Sequence, residues 1–387
     1  MKLPKIRFKG GNSRTEKFIK QIWKISTGKS NTQDQTEDWK YPFFIRSDIV
    51  VKSNKFLFNE EAVITIGDWN IWKVFHYING KYDLHQRCYK ISDFKDIFWK
   101  YFYYYFSTKF YKRAMSMTAK ATVDSVRLEM ISDMLIRFPS LPEQEKIWAF
   151  FEQLDSQITK NQQKLEKLKN MKKSFLQKLF PKAWATVPEL RFKGFEGAWE
   201  ERELGESATI TTWWTPSTTI EKYRYPKEIS WLSSWEVNKK HIYFTDNKIS
   251  QEWLSNSSTK LINKKSVLIA LAWQWKTRWT VAINHIPLTT NQSIAAIILQ
   301  TNINTEYTFS NLESRYEEIR KYSSWDWTRW WLNKQIISEI KIPYTSLPEQ
   351  EKIWAFFEKL DTQITHQSQK IQKLQNIKQS LLEKMFI

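Results

Sequence analysis

Trp23 to Ser30 reads WKISTGKS. With Gly in place of Trp23 it would be a complete G-x-x-x-x-G-K-S phosphate loop, whose backbone N–H groups and Lys cradle a nucleotide. Such a loop follows a buried apolar strand and opens a helix. Here Lys17, Lys20 and Gln21 precede it and Asn31-Thr-Gln-Asp-Gln follows, so neither flank fits. No acidic residue after an apolar strand offers a magnesium partner. Nucleotide hydrolysis is not expected. The same small, polar, basic turn suits a DNA phosphate or base edge.

Other chemistries are as poorly served. His76, His85, His241, His285 and His366 fall in no metal-ligand spacing, and they read as structural or surface residues. The lone Cys88 excludes an intramolecular disulfide and a cysteine metal cluster. There is no Asn-Pro-Pro-Tyr or Gly-rich methyl-donor motif, and no carboxylate-carboxylate-Lys cluster of a nuclease. What remains is a set of basic and polar loops: Ser26, Thr27, Lys29, Ser30 and Asn31; Gln274, Lys276, Thr277 and Arg278; Thr328 and Arg329. Lys109, Lys112, Arg113 and Lys120 add a basic cluster. Arg and Lys read guanine O6 and N7, and Asn and Gln read adenine N6 and N7. Any one of these residues alone reads as solvated surface. Spread over both halves of a basic chain, they form the candidate DNA-binding set.

The elements that must position them are set by a repeat. Leu141 to Thr159 reads LPEQEKIWAFFEQLDSQIT, and Leu347 to Thr365 reads LPEQEKIWAFFEKLDTQIT, identical at 17 of 19 positions with an offset of 206. Pro142 sits in the first turn of a helix, where its missing N–H costs nothing, with acidic residues near the positive end of the dipole. From Ile147 the apolar positions fall at 147, 151, 154, 158, 165, 168, 175 and 179. That four-three spacing is a coiled-coil seam. Asn161 and Lys172 interrupt it, and Gln367 and Lys378 interrupt the second copy at the same places. Two matched copies predict helices that pair with each other. Pro181 stops the first, and only a short linker precedes the next globular segment. The second helix must therefore run back antiparallel. A helix of about 38 residues is roughly 57 Å long.

Pro4-Lys-Ile-Arg-Phe-Lys-Gly recurs as Pro188-Glu-Leu-Arg-Phe-Lys-Gly, so the globular segments also begin alike. Strands are expected at Tyr41 to Val51, Ala62 to Ile66 and Val74 to Ile78, then at Ser266 to Ala272, Thr280 to Asn284 and Ser293 to Leu299. Asp93 to Tyr111 reads as a buried helix and Asn311 to Tyr322 as a polar one. Both globular segments are mixed α and β.

The chain has 387 residues, room for two or three domains. Sixty Lys plus Arg against 41 Asp plus Glu give a net charge of +19, which favours a polyanion partner. No stretch approaches eighteen apolar residues and no signal peptide is evident, so a soluble cytoplasmic protein is expected. One composition is abnormal: 21 Trp against 8 Gly. Ser323 to Trp331 reads SSWDWTRWW and Trp273 to Trp279 reads WQWKTRW, polar runs where turn chemistry wants Gly. UGA codons that encode glycine, read as tryptophan, would account for all but Trp99, Trp184, Trp199 and Trp231. Platforms for stacking nucleic-acid bases are the alternative.

The twofold LPEQEKI-x-AFFE-x-LD-x-QIT, the Pro-x-[IL]-Arg-Phe-Lys-Gly starts, Lys112-Arg-Ala-Met-Ser-Met-Thr-Ala-Lys-Ala-Thr-Val-Asp-Ser125 and Leu268-Ile-Ala-Leu-Ala-Trp-Gln-Trp-Lys-Thr-Arg278 together resemble the specificity subunit of type I restriction–modification systems. The resemblance implies an α+β chain: two mixed α/β target-recognition domains separated by a long antiparallel two-helix coiled coil. The expected boundaries are 1–140 and 185–346 for the domains, and 141–184 and 347–387 for the spacer helices. Each domain would read one half of a bipartite site in double-stranded DNA. The helices would act as the ruler and dock two modification subunits, which restriction subunits then join. Docking is expected at Ile147, Phe150, Phe151 and Leu154 and at Ile353, Phe356, Phe357 and Leu360. The family implies that S-adenosylmethionine, ATP and magnesium belong to the partner subunits, so no cofactor, metal or catalytic residue is expected in this chain, and no membrane. Trp148 and Trp354 depart from the family, which has a small residue there.

The geometry agrees independently: matched antiparallel helices offer the same docking surface twice. Two other function classes fit less well. A structural coiled-coil protein with RNA-binding ends would prefer RNA over split duplex sites. A self-contained modification enzyme would transfer methyl groups alone.

Overall fold

The computed structural model describes residues 14–36, 40–68, 74–117, 125–182, 185–213, 225–271, 279–321 and 333–386. The chain divides into two units, Met1–Gln163 with Ser368–Ile387, and Lys164–Gln367.

In the first unit β1 (Thr15–Phe18) passes through the single-turn α1 (Ile19–Ile22) into β2 (Lys24–Thr27). Then come β3 (Tyr41–Phe44), β4 (Val51–Ser53), β5 (Phe58–Ile66), β6 (Phe75–Leu84) and β7 (Cys88–Ser92). These form a sheet in the order β2-β7-β5-β6-β3-β4, antiparallel except where β3 runs parallel to β6. Side chains alternate across a strand. In β5, Ala62, Ile64 and Ile66 join Phe44, Tyr82 and Leu84 on one face, while Val63 joins Ile91 on the other. Both faces are covered, so residues 62 to 66 are all buried.

The Val63 face carries α2 (Trp99–Ser116). Its aromatic run is buried on more than one side because α2 has two neighbours. Phe106 meets Phe75 of the sheet edge-on at 5.6 Å, while Tyr104 meets Phe151 of one long helix and Tyr101 meets Phe386, just past the end of the other. Next, α3 (Leu128–Ser132) and β8 (Leu135–Phe138), antiparallel to β1, lead into the 38-residue α4 (Leu141–Lys178). The Ser140 carbonyl accepts the Glu143 and Gln144 N–H groups, and Pro142 just before them has no N–H to satisfy.

The second unit repeats this plan. β9 (Glu200–Glu203), α5 (Leu204–Ser207) and β10 (Ala208–Thr211) open it. There follow β11 (Ile229–Leu232), β12 (His241–Ile242), β13 (Asn247–Ile249), α6 (Gln251–Ser255), β14 (Val267–Ala270), β15 (Val281–Asn284), β16 (Thr289–Thr290) and β17 (Ile294–Leu299). Helices α7 (Thr305–Ser314), α8 (Tyr316–Lys321) and α9 (Lys334–Ser338), strand β18 (Lys341–Tyr344) and the 39-residue α10 (Leu347–Met385) complete it. The main sheet runs β10-β17-β14-β15-β12, with β12 parallel to β15 and the other pairs antiparallel. Strand for strand this is β2-β7-β5-β6-β3. The β9·β18 ribbon likewise matches β1·β8. A small β13-β11-β16 sheet has no counterpart in the first unit among the described residues.

The offset of 206 holds upstream of the obvious repeat: α3 and β8 map onto α9 and β18 residue for residue. The strand expectations are met with shifted ends, except that Tyr41 to Val51 is two strands, β3 and β4. The aromatic helix starts at Trp99 and not at Asp93, which has φ 61°. The polar helix expected over Asn311 to Tyr322 is a correction. It is α7 and α8, and α7 is buried at Thr308, Ser310 and Asn311. Thr308 and Ser310 donate to the carbonyls of Asn304 and Glu306 one turn back, so their polarity is met inside the helix.

The tryptophans bear on local backbone. Trp279 has φ 71°, a left-handed conformation that a bulky residue rarely adopts and Gly adopts freely. Trp148, by contrast, is accommodated, edge-on to Phe98 at 5.2 Å and under Lys100. The glycine expectation for Trp273, Trp275 and residues 323–331 lies outside the described residues. Peptide mass spectrometry of the natural protein is expected to find Gly at position 279. Trp there would contradict the recoding.

Candidate nucleic-acid interface and seam helices

Ser26 and Thr27 lie in β2, in register with Lys90 and Tyr89, not in a loop. Gly28 follows because nothing larger fits: a Cβ there would lie 1.9 Å from the Leu84 carbonyl oxygen. Ser30 is buried and donates to Asp83 Oδ1 at 2.7 Å. Expecting Ser30 at a DNA surface is therefore corrected; its hydroxyl neutralises a buried acceptor. The phosphate-loop pattern dissolves for the same reason, since Gly28 and Ser30 serve strand contacts and only the short turn Thr32–Asp34 follows. Lys29 stays exposed and Asn31 half-buried.

Asn31 opens onto an open depression of about 350 Å³ that it shares with Gln33, Arg46, His85, Gln86 and Arg87. Arg46 and Arg87 approach the same carboxylate oxygen of buried Asp68, at 3.2 and 3.0 Å. Gln86 Nε2 donates to Asn31 Oδ1 at 2.5 Å. Burial, then the neighbouring Arg46 and Arg87, hold His85 below its ordinary imidazole value. Its Nδ1 accepts the Arg87 N–H, so it is neutral and fixes that turn. Arg46, Gln86 and Arg87 were missed because they come from separate segments. The available signal was Gln86-Arg87, two polar readers in a turn between the strands β6 and β7.

Of the basic cluster, Arg113 is spent on structure. Its Nε donates to the Met130 carbonyl at 2.9 Å and fastens α3 to α2. Lys112 is exposed beside Lys109, and burial and the Lys112 charge lower the Lys109 pKa. Lys120, Gln274, Lys276, Thr277, Arg278, Thr328 and Arg329 lie outside the described residues. His241 and His285 come together, Nδ1 to Nε2 at 3.0 Å, with Tyr243 stacked on His285. Burial lowers both, so one neutral ring donates to the other.

The expected docking residues need the largest correction. Ile147, Phe151, Leu154, Ile353, Phe357 and Leu360 are buried in the cores of their own units. Phe356 is half-buried against Phe175 and Phe192, and Phe150 alone of the eight is exposed. The four-three spacing marks residues that pack into the unit cores, and such residues are not free for a partner.

Each unit contains one stretch of antiparallel helix pairing. In the first, Phe151 of α4 stacks on Phe386 and Asp155 pairs with Lys378 at 2.5 Å, and Tyr104 also donates to Asp155. In the second, Phe357 of α10 stacks on Phe180, and Lys172 lies 2.9 Å from Asp361 and 3.0 Å from Glu313. These are the same residues exchanged. Asp155 and Asp361, Lys172 and Lys378, Phe151 and Phe357, and Phe180 and Phe386 are all 206 apart. Gln144 and Gln350 repeat too. Each accepts the backbone N–H before a domain helix (Phe98, Asn304) and donates to a carbonyl just before its own helix (Pro139, Thr345).

Burial would raise the Glu313 pKa, but Lys172 and Lys240 beside it hold it below the usual carboxylate range. A carboxyl lowered in the folded state stabilises fully above its unfolded value, near pH 4.3, and the contribution is lost as pH falls through the lowered value. Lys172→Ala leaves Asp361 and Glu313 facing each other. It is expected to cost about 1–3 kcal/mol at pH 7, since Glu313 keeps Lys240 while Asp361 loses its cation. That cost should shrink as pH falls and Glu313 protonates. Urea unfolding at several pH values checks both.

The family described as "Type I restriction modification DNA specificity domain" matches residues 14–170 and again 196–376. The chain is similar to the type I restriction enzyme MjaIX specificity subunit of Methanocaldococcus jannaschii, 26% identical over 193 residues, 49% of this chain and 44% of that one. It is also similar to the EcoR124I/EcoR124II specificity subunit of Escherichia coli, 28% identical over 178 residues, 45% of this chain and 43% of that one. The matches thus span less than half the length of these relatives. Among solved structures, a type I restriction–modification S subunit from M. genitalium aligns over 100% of this chain and 99% of its own, with TM-score 0.67 and 16% identity. A chain from a study of type I restriction–modification complex assembly aligns equally fully, at TM-score 0.61 and 15% identity. These structural matches speak to the fold. The family matches carry the DNA-specificity reading and give the RNA-binding alternative no support.

Proposed function

The chain belongs to the type I restriction modification DNA specificity domain family, and from that premise we propose that it is the specificity subunit of such an enzyme. The observation that carries this is the doubled family match, falling on two units of the same strand order. Each domain reads one short block of duplex DNA, so the site is bipartite with an unread spacer. α4 and α10 form the antiparallel coiled coil that acts as the ruler. They dock two modification subunits through their outer faces, near exposed residues such as Phe150, Leu141 and Leu347, because the seam residues are buried. Restriction subunits join the assembled complex.

The chain positions DNA and carries out no chemistry of its own. S-adenosylmethionine, ATP and magnesium are held by the partner subunits. A net charge of +19 supports the DNA reading, since neutralising phosphates releases counterions. No helix among the described residues is long and apolar enough to cross a membrane. A cytoplasmic setting follows from DNA as the substrate.

Binding-site selection on a random duplex library is the test. Purified chain should enrich two short blocks at fixed separation and should prefer that duplex to RNA in competition. It should transfer no methyl group unless modification subunits are added. RNA winning the competition, or methyl transfer by the chain alone, would overturn this reading.

A further inference from the structure

The depression in the first unit has features that a general phosphate clamp would not need. Two guanidinium groups converge on one buried carboxylate oxygen, that of Asp68. Each uses a single terminal nitrogen for this contact, Nη1 in both cases. The Arg87 side chain is 63% exposed and that of Arg46 39%, while Asp68 is 9% exposed. Asp68 therefore anchors one end of each guanidinium and narrows the directions its fork can take. Beside them sits a neutral pair, Gln86 and Asn31, joined amide to amide.

A phosphate site gains by maximising positive charge, and a carboxylate behind both guanidiniums works against that. A base-reading site gains by fixing direction. An Arg fork held in one plane matches guanine O6 and N7, and a carboxamide matches adenine N6 and N7. The Gln86–Asn31 pair has no charge with which to hold a phosphate. Its position is set by the buried Ser30, whose N–H bonds to Leu84 and whose carbonyl accepts the Gln86 N–H. The neutral His85 beneath adds no charge and holds the Arg87 backbone.

We propose that this cluster is the base-reading centre of the first domain: Arg46 and Arg87, oriented by Asp68, each take a guanine, and Gln86 with Asn31 takes an adenine. Asp68 is a positioning residue and touches no base. The proposal rests on the bipartite DNA reading above and assigns part of one block. It replaces Ser26, Thr27 and Ser30, which the strands and the core occupy.

The experiment is binding-site selection with the full chain, wild type against Arg87→Ala, Arg87→Lys and Gln86→Ala, with melting curves to confirm folding. The wild-type selection should return guanine and adenine in one block. Arg87→Ala should lose preference at a single guanine and weaken the selected duplex by about 5- to 150-fold, leaving the other block intact. Arg87→Lys should keep affinity for random duplex yet lose the same guanine preference, because a point charge lacks the fork. Gln86→Ala should relax one adenine. Uniform weakening on all sequences with a salt slope shallower by about one would make Arg87 a phosphate contact and overturn the proposal. Unchanged binding and preference in all three folded variants would overturn it too. A bipartite wild-type site lacking guanine in both blocks would sink the proposal while sparing the proposed function. A wild-type chain with no duplex preference would sink the function itself.

Discussion

Much of this structure depends on a lysine placed where the four-three pattern of each long helix calls for an apolar side chain. Lys172 is buried and Lys378 half-buried, and Lys172 above all needs a carboxylate, because a lone buried ammonium costs several kcal/mol. Asp361 and Asp155 supply it, each from the other helix. A buried pair of this kind adds little net stability over apolar packing, but it penalises the wrong register. A one-turn slip of either helix would separate both pairs and put the stacked Phe151–Phe386 and Phe180–Phe357 rings out of alignment. The seam therefore has one register in each unit, and the same residues specify it twice.

The domains are fastened to these helices by duplicated polar contacts. Gln144 and Gln350 tie the first turn of each long helix to the start of α2 and of α7. Where the units differ, the difference lies around the shared contacts. The first packs Tyr104 on Asp155, whereas the second brings Glu313, itself paired with Lys240, to Lys172. A common frame with divergent surfaces is what the proposed reading of two different blocks would require.

The helices were legible because their period, their interruptions and their near-identity all agreed. The chain of offsets continued upstream through Ile131/Ile337, Ile136/Ile342 and Ser140/Ser346, a weaker match that could have been used. The docking residues were misplaced because apolar periodicity reports what is buried and says nothing of what a partner touches. Ser30 misled because a polar side chain in a glycine-flanked turn looks exposed until a buried Asp83 is seen to need its hydroxyl. The polar helix misled because Thr308 and Ser310 spend their hydroxyls on their own backbone. Arg46, Asp68, Gln86 and Arg87 meet only through the sheet order, which no local pattern encodes. The boundaries were drawn at helix ends, but the units divide within both helices, after Gln163 and after Gln367. A two-helix seam binds each half of a helix to the domain nearest its partner's end.

We propose that the paired helices set the separation between the two blocks. Inserting seven helical residues between Gln163 and Lys164 and seven between Gln367 and Ser368 keeps the seam phase, since seven is two turns of its 3.5-residue repeat. It lengthens the helices by about 10 Å, roughly three base pairs at 3.4 Å each. Binding-site selection with this variant should return the two original blocks with a spacer longer by about three base pairs. The original spacer, returned by a variant that is folded and binds duplex DNA, would contradict the account.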